Sequence, residues 1–266
     1  PAEVTLKSPE DWVYIGKGFP RVELPMKTRG SVGLFGMDAQ PEGGLVAVTA
    51  RPPRFGATLA SVDATAALAL DGVEAVLEIP PGVVVVATNT WTAMQGREAL
   101  VLDWVAGSGE TRGTDALLDE FRAALDASGL PSHPRGDASA KLAQAAQVIE
   151  AEYVFPYLAH APMEPLDMTV LYDGQSATFW GGSQIQTLDH GTAAAVLGLD
   201  FPQITINTRW GGGSFGRRAT PDGHLAAETA MIGKAWLDAG NAARPIKLVY
   251  SREDDVRGGY YRPMAV

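Results

Sequence analysis

The stretch Trp210-Gly211-Gly212-Gly213-Ser214-Phe215-Gly216-Arg217-Arg218 follows a β-branched run and precedes an apolar helical pattern. Glycines at that position leave backbone N–H groups unobstructed, and such groups at a strand-to-helix junction can cradle a phosphate or an oxo anion. Gly211, Gly213 and Gly216 also satisfy the spacing G-x-G-x-x-G. A dinucleotide site, however, needs the helix to start inside the motif and an acidic residue at a strand end about 20 residues later. Here Arg217, Arg218 and Pro221 intervene, and Asp238 falls at the end of a predicted helix. A plain turn between strand and helix is the simpler alternative.

Three further groups could carry chemistry. Gln184 follows Phe179-Trp180-Gly181-Gly182-Ser183 at a predicted helix start, where its amide can donate to an anionic oxygen; the alternative is a solvated cap. The segment Ala159-His160-Ala161-Pro162-Met163-Glu164-Pro165 pairs an imidazole with a carboxylate, but H-E-x-x-H is absent and only four His exist, so His160 is expected to make a structural hydrogen bond. Glu253-Asp254-Asp255 is expected to be a solvated, dipole-favoured helix start with no chemistry.

The elements that must position these groups follow from periodicity. Strands are predicted over Leu45–Ala50, stopped by Arg51-Pro52-Pro53, over Ala57–Val62, Val73–Ile79 and Val83–Val86, the last buried on both faces, and over Leu100–Trp104. Asp63 caps a short helix through Leu70, and Asn89-Thr90 caps another carrying Trp91 and Met94. The Gly-rich stretch 106–113 reads as the linker between two lobes. Beyond it, Thr114 opens a surface helix with Leu117, Phe121 and Leu125 on one face, ended by Gly129–Pro134. Strands are expected at Ala145–Val154, Met168–Tyr172, Ser176–Trp180, Ile204–Arg209 and Ile246–Tyr250, with helices at Gln184–Leu197 and Leu225–Leu237. The Val83–Val86 run and the Leu225–Leu237 helix are expected to be core.

Composition narrows the classes. With 46% hydrophobic residues over 266 positions the chain can bury sizeable cores, while 30 Gly and 18 Pro imply many turns. A net charge of -10 disfavours nucleic acid and anionic lipid, which need clustered Lys and Arg. Zero Cys excludes an iron-sulfur cluster or disulfide within this chain. No apolar run approaches the roughly 20 residues of a membrane span. The start lacks Met, a basic region and an apolar region, so a targeting segment is expected to be absent or removed, and compartment stays open.

Taken in order, Leu158–Pro165, Phe179–Gln184 and Gly211–Arg218 resemble the molybdenum hydroxylase (xanthine oxidase) superfamily. The doubled Arg after Phe215-Gly216 and the run Tyr153–Pro165 are similar to the isoquinoline 1-oxidoreductase beta-subunit branch of its large, molybdopterin-binding subunits. Arg51-Pro52-Pro53, Ser61-Val62-Asp63, Asp71-Gly72-Val73 and the Val-rich strand resemble that family's hammerhead domain. The resemblance, from about Gly30 to Arg262, implies an α+β fold: a lead-in over 1–29, an α/β hammerhead domain over 30–105 and part of a molybdopterin-binding α+β domain over 114–266.

It further implies a molybdenum centre on molybdopterin cytosine dinucleotide that hydroxylates N-heteroaromatics or oxidises aldehydes with oxygen from water. Electrons would pass to an iron-sulfur small subunit. Gln184 is implied to approach a molybdenum oxo ligand, and Gly212, Gly213, Ser214, Phe215, Gly216 and Arg217 to line the cofactor. The family's catalytic Glu, in a Gly-rich segment late in the subunit, has no counterpart here. The chain is therefore expected to be a piece that is inactive and holds no cofactor without the rest of its subunit. A non-catalytic hammerhead interaction module and a dinucleotide-binding dehydrogenase domain are the alternatives.

Overall fold

The computed structural model describes residues 3–266, apart from positions 31, 32, 34, 128, 131, 132 and 134. Eleven strands occur among them: β1 (Leu45–Ala50), β2 (Thr58–Asp63), β3 (Val73–Ile79), β4 (Gly82–Ala87), β5 (Val101–Val105), β6 (Val154–Phe155), β7 (Asp167–Tyr172), β8 (Ala177–Gly182), β9 (Ile204–Arg209), β10 (Ile246–Val249) and β11 (Met264–Ala265). The α-helices are α1 (Leu24–Thr28), α2 (Thr65–Leu68), α3 (Thr90–Glu98), α4 (Thr114–Leu125), α5 (Ala138–Ala143), α6 (Gln186–Leu197), α7 (His224–Asp238) and α8 (Arg252–Arg257).

Seven strands form one sheet in the order β3-β4-β1-β10-β7-β8-β9, with β1/β10 and β8/β9 parallel and the other pairs antiparallel. Mixed strand directions with helices on both faces give the α+β class expected from the sequence. The linker 106–113 divides the chain but not this sheet, because β1 on one side of it pairs with β10 on the other. Among the described residues β2 and β5 pair only with each other, as a separate two-stranded sheet.

The apolar pattern accounts for both faces. Every residue of β4 is buried, as its unbroken Val run requires of a strand covered on two sides. One face packs Phe179, Met168, Val170, Ile246 and Leu248 under α6 and α7 through Leu225, Ile232 and Trp236, and each such side chain contributes about 1.5–3 kcal/mol on burial. The opposite face packs Val48 and Val85 under Ala93 of α3. Gly96 lets α3 approach β4, since a Cβ there would stand 2.7 Å from Val85 Cγ1. Asn89 caps α3 by accepting from the Thr92 N–H at 2.9 Å, as its sequence predicts.

Two expectations fail for physical reasons. The strand expected over Ala145–Val154 shrinks to β6, because only Tyr153–Phe155 finds a partner, against the chain around β11; residues 145–153 lie exposed. The helix expected from Gln184 begins at Gln186, since the Gln184 side chain reaches across to another loop instead of capping. α7 is core as expected yet holds the buried Glu228. α4 buries none of its residues fully, consistent with a surface helix; positions 131, 132 and 134 of its expected terminator lie outside the described residues, as do positions 1 and 2 of the lead-in. Among the described residues no helix is long and apolar enough to cross a membrane.

Candidate functional site

β8, α6 and β9 form a parallel crossover, so two loops leave the carboxyl ends of adjacent strands: Ser183–Ile185 after β8 and Trp210–Gly216 after β9. Open sheets bind ligands at such ends. The two loops abut, with a Cβ on Gly182 falling 3.3 Å from Gly211 Cα. They are tied by Ser214, whose Oγ donates to Gln184 Oε1 and accepts from the Arg218 N–H at 3.0 Å. With its oxygen held, Gln184 keeps its amide NH2 as the free end; among the described residues it has no partner.

The loop backbone is partly closed on itself and partly open. Arg217 N–H donates to Ser214 O at 2.9 Å and Ala219 N–H to Gly216 O at 3.0 Å. The N–H groups of Gly213, Ser214, Phe215 and Gly216 make no hydrogen bond among the described residues. Gly213 and Gly216 sit at φ of 102° and 101°, which side chains rarely tolerate, and Phe215 occupies the left-handed region at 57°. Four successive unpaired N–H groups in such a turn form a donor-only surface suited to anionic oxygens.

The segment 160–164 lies against this loop almost position for position. A Cβ on Gly216 would meet His160 Nε2 at 3.7 Å, one on Gly213 would meet Pro162 Cβ at 3.2 Å, and one on Gly212 would meet Glu164 Cβ at 2.5 Å. Glu164 N–H donates to Gly212 O at 3.0 Å, while its carboxylate accepts from Gly212 N–H at 2.7 Å and from Met37 N–H at 2.9 Å. Gly212, expected to serve the cofactor, thus has its donor already occupied.

Arg217 and Arg218 both point inward. Arg218 Nη2 lies 3.4 Å from Glu164 Oε2, 3.3 Å from Asp167 Oδ2 and 3.2 Å from Pro165 O, while its Nε is buried without a partner among the described residues. Arg217 Nε pairs with Asp255 Oδ1 at 2.9 Å and its Nη1 lies 2.8 Å from His224 Nε2. The side chain expected to line the cofactor is therefore fully engaged inside the fold. Since a guanidinium only donates, His224 Nε2 accepts, the proton sits on Nδ1, and Nδ1 donates to Thr220 Oγ1 at 2.8 Å. Burial, reinforced by the charge of Arg217, pushes His224 down to about 4. Asp167 moves the other way: burial pushes it up to about 7, against the pull of Arg218.

Behind the loop, Glu228 accepts from Arg51 at 2.5 Å, from Thr49 Oγ1 at 2.6 Å and from Tyr250 OH. Burial raises Glu228, but the charge of Arg51 and these hydrogen bonds carry it below its ordinary value. Asp254 pairs with Arg97 at 2.7 Å, and Asp255 is wholly buried between Arg217 and Arg252. Of the cluster 253–255, expected to be solvated, Glu253 is exposed as expected, whereas Asp254 pairs with Arg97 and Asp255 braces the loop from below through Arg217. The cluster's acidic residues looked like a helix start, which they also are: Ser251 caps α8 through Asp254. His160 departs from expectation as well, because its Nδ1 is buried without a hydrogen-bond partner among the described residues. Among the described residues no group of three His, Cys, Asp or Glu is placed to hold a metal ion.

A mixed sheet bearing paired donor loops at the ends of parallel strands thus presents a row of unpaired backbone N–H groups that suits anionic oxygens. The chain belongs to the molybdopterin cofactor-binding domain family, which matches residues 125–264. It is 31% identical to isoquinoline 1-oxidoreductase subunit beta of Brevundimonas diminuta over 97% of this chain and 33% of that protein. It is 26% identical to a membrane-bound aldehyde dehydrogenase (pyrroloquinoline-quinone) of Gluconacetobacter polyoxogenes, over 100% of this chain and 35% of that one. The fold superposes on aldehyde oxidoreductase from Desulfovibrio gigas with a TM-score of 0.65 and 19% identity, covering 93% of this chain and 32% of that one. The chain thus spans about a third of the length of the curated relatives it matches.

Proposed function

We propose that this chain is the part of a molybdenum hydroxylase large subunit that grips and orients a molybdopterin centre, in a complete enzyme that hydroxylates N-heteroaromatics or oxidises aldehydes. The observation that carries the reading is the row of unpaired N–H groups from Gly213 to Gly216 beside the free amide of Gln184. Such donors fit the oxygen-rich face of a molybdenum-pterin group, which when bound supplies two-electron oxidation with oxygen drawn from water. The chain's own work is orientation: Ser214 fixes which end of Gln184 faces outward, Glu164 fixes where the cradle begins, and Arg217 and Arg218 anchor it from beneath. The cytosine dinucleotide form of the cofactor, an iron-sulfur partner subunit and a hammerhead module over 30–105 belong to the same reading.

The test is cofactor analysis of the complete subunit expressed with its iron-sulfur partner, wild type and Gln184→Ala. Near-stoichiometric molybdenum with a pterin dinucleotide, reduced in the variant, supports the reading. A folded complex carrying no molybdenum, or carrying a quinone in place of the pterin, overturns it.

A further inference from the structure

A cleft of about 320 Å³ opens beside the cradle, between His160, Phe215, Gly216, Pro221, Tyr260 and Arg262. Most of its polar groups are already engaged. Thr220 Oγ1 is bonded to His224, and the Tyr260 hydroxyl donates to Asp222. Two are not. Among the described residues Arg262 has neither an ion pair nor a hydrogen bond, although nearly every other Arg around the site has a carboxylate partner. Nor has His160 a hydrogen-bond partner among the described residues: Nδ1 is buried and bare, while Nε2 lies beside Gly216 on the cleft wall. Buried N–H groups without partners are rarer than bare acceptors, so the proton belongs on Nε2, which makes His160 a donor toward the cleft.

The walls add a shape. Phe215 is 77% exposed in a left-handed conformation, and Ala161, next to His160, has φ of 41° although Pro162 follows it. Both backbone strains flank the same cleft, where strain is tolerated because it places side chains. Phe215 and Tyr260 present ring surface, and Pro221 adds an apolar floor.

We propose that this cleft binds a small planar anion, an aromatic carboxylate, with Arg262 as its counter-charge, His160 Nε2–H as a second donor, and Phe215 and Tyr260 against the ring. The volume suits a single-ring ligand, and a free cation with a free donor selects a carboxylate over a neutral amide. Only the further step of calling this ligand the substrate rests on the function proposed above; the binding itself does not.

Benzoate and benzamide titrated into the full chain, followed by calorimetry and by histidine side-chain NMR, decide the matter. Benzoate is expected to bind saturably, to shift the His160 resonances, and to bind about tenfold more tightly than benzamide. Arg262→Gln, at an exposed position, should remove that preference while leaving benzamide unchanged. His160→Phe should weaken both ligands, and His160→Gln, which keeps a donor, should restore part of the loss. Equal affinities for the two probes, no binding of either, or binding that leaves His160 unmoved each overturn the proposal. None of these outcomes bears on molybdenum content, so the two readings fail separately.

Discussion

Glu164 and Gly212 are joined twice, by a backbone N–H···O bond of 3.0 Å in one direction and a carboxylate bond of 2.7 Å in the other. A side chain from one segment thus occupies the first donor of the cradle and leaves the next four open. Gly212→Ala would push a methyl to within 2.5 Å of Glu164 Cβ. We expect that variant to lose about 1–3 kcal/mol in urea denaturation and to shift the amide resonances of Gly213 to Gly216. A variant as stable as wild type with unmoved amides would show that the contact does not set the loop.

Arg51 and Glu228 form the buried pair that ties the end of β1 to α7. Removing Arg51 leaves Glu228 with only the neutral donors Thr49 and Tyr250, so Arg51→Ala should cost about 3 kcal/mol or more. Replacing both charges together, Arg51→Met with Glu228→Leu, should cost less than the single change. Chemical denaturation of the four-member cycle measures it.

His224 and Asp167 give opposite slopes with pH. His224 has its folded value lowered to about 4, so the unfolded chain binds more protons between about 4 and 6.5 and stability falls as pH drops through that range. Asp167 is raised to about 7, so the folded chain binds more protons between about 4 and 7 and stability falls as pH rises there. The two partly cancel in the wild type. Asp167→Asn should unmask a stability that increases with pH, and His224→Gln one that decreases, each by about 3 kcal/mol across the window. Parallel curves for the three proteins would refute both assignments.

Phe215 bears a left-handed backbone without the excuse of being glycine. Phe215→Gly should exceed Phe215→Ala in stability by about 1 kcal/mol, since only glycine relieves the strain while both remove the same exposed ring. Paired thermal melts give the difference.

Ser214→Ala should change global stability by less than about 1 kcal/mol yet free Gln184 to rotate, because among the described residues the only tie on its amide oxygen is that hydroxyl. The Gln184 side-chain NH2 signals should sharpen toward exposed-amide values; unchanged signals would mean that something else orients the amide.

The sequence reported the parts of the fold that depend on local pattern. Unbroken Val in β4, the Asn89 cap and the glycines around Phe215 each carry their reason within a few residues. Partnership over distance was illegible. Ala145–Val154 has strand character but finds no neighbouring strand for most of its length, and periodicity is blind to that. The charge braces were hidden for the same reason: Asp255 meets Arg217 and Glu228 meets Arg51 only after α7, α8 and β1 have assembled, so each acidic residue alone reads as surface. Glu164 carried a faint signal, as a carboxylate in a Pro-flanked apolar segment beside His160. What it clamps could be known only from the loop against it.

β1 and β10 lie side by side in the finished sheet, Leu45 opposite Ile246, although about 200 residues of chain separate them. On a ribosome, β3, β4 and β1 therefore emerge early as a three-stranded patch whose open edge has to wait until nearly all of this stretch has been made. That edge is a short run, Leu45 to Ala47, of bare N–H and C=O groups available to any other extended chain. Slowing translation near Ile246, before β10 can cover that edge, should therefore favour aggregation over assembly, read as a smaller soluble fraction.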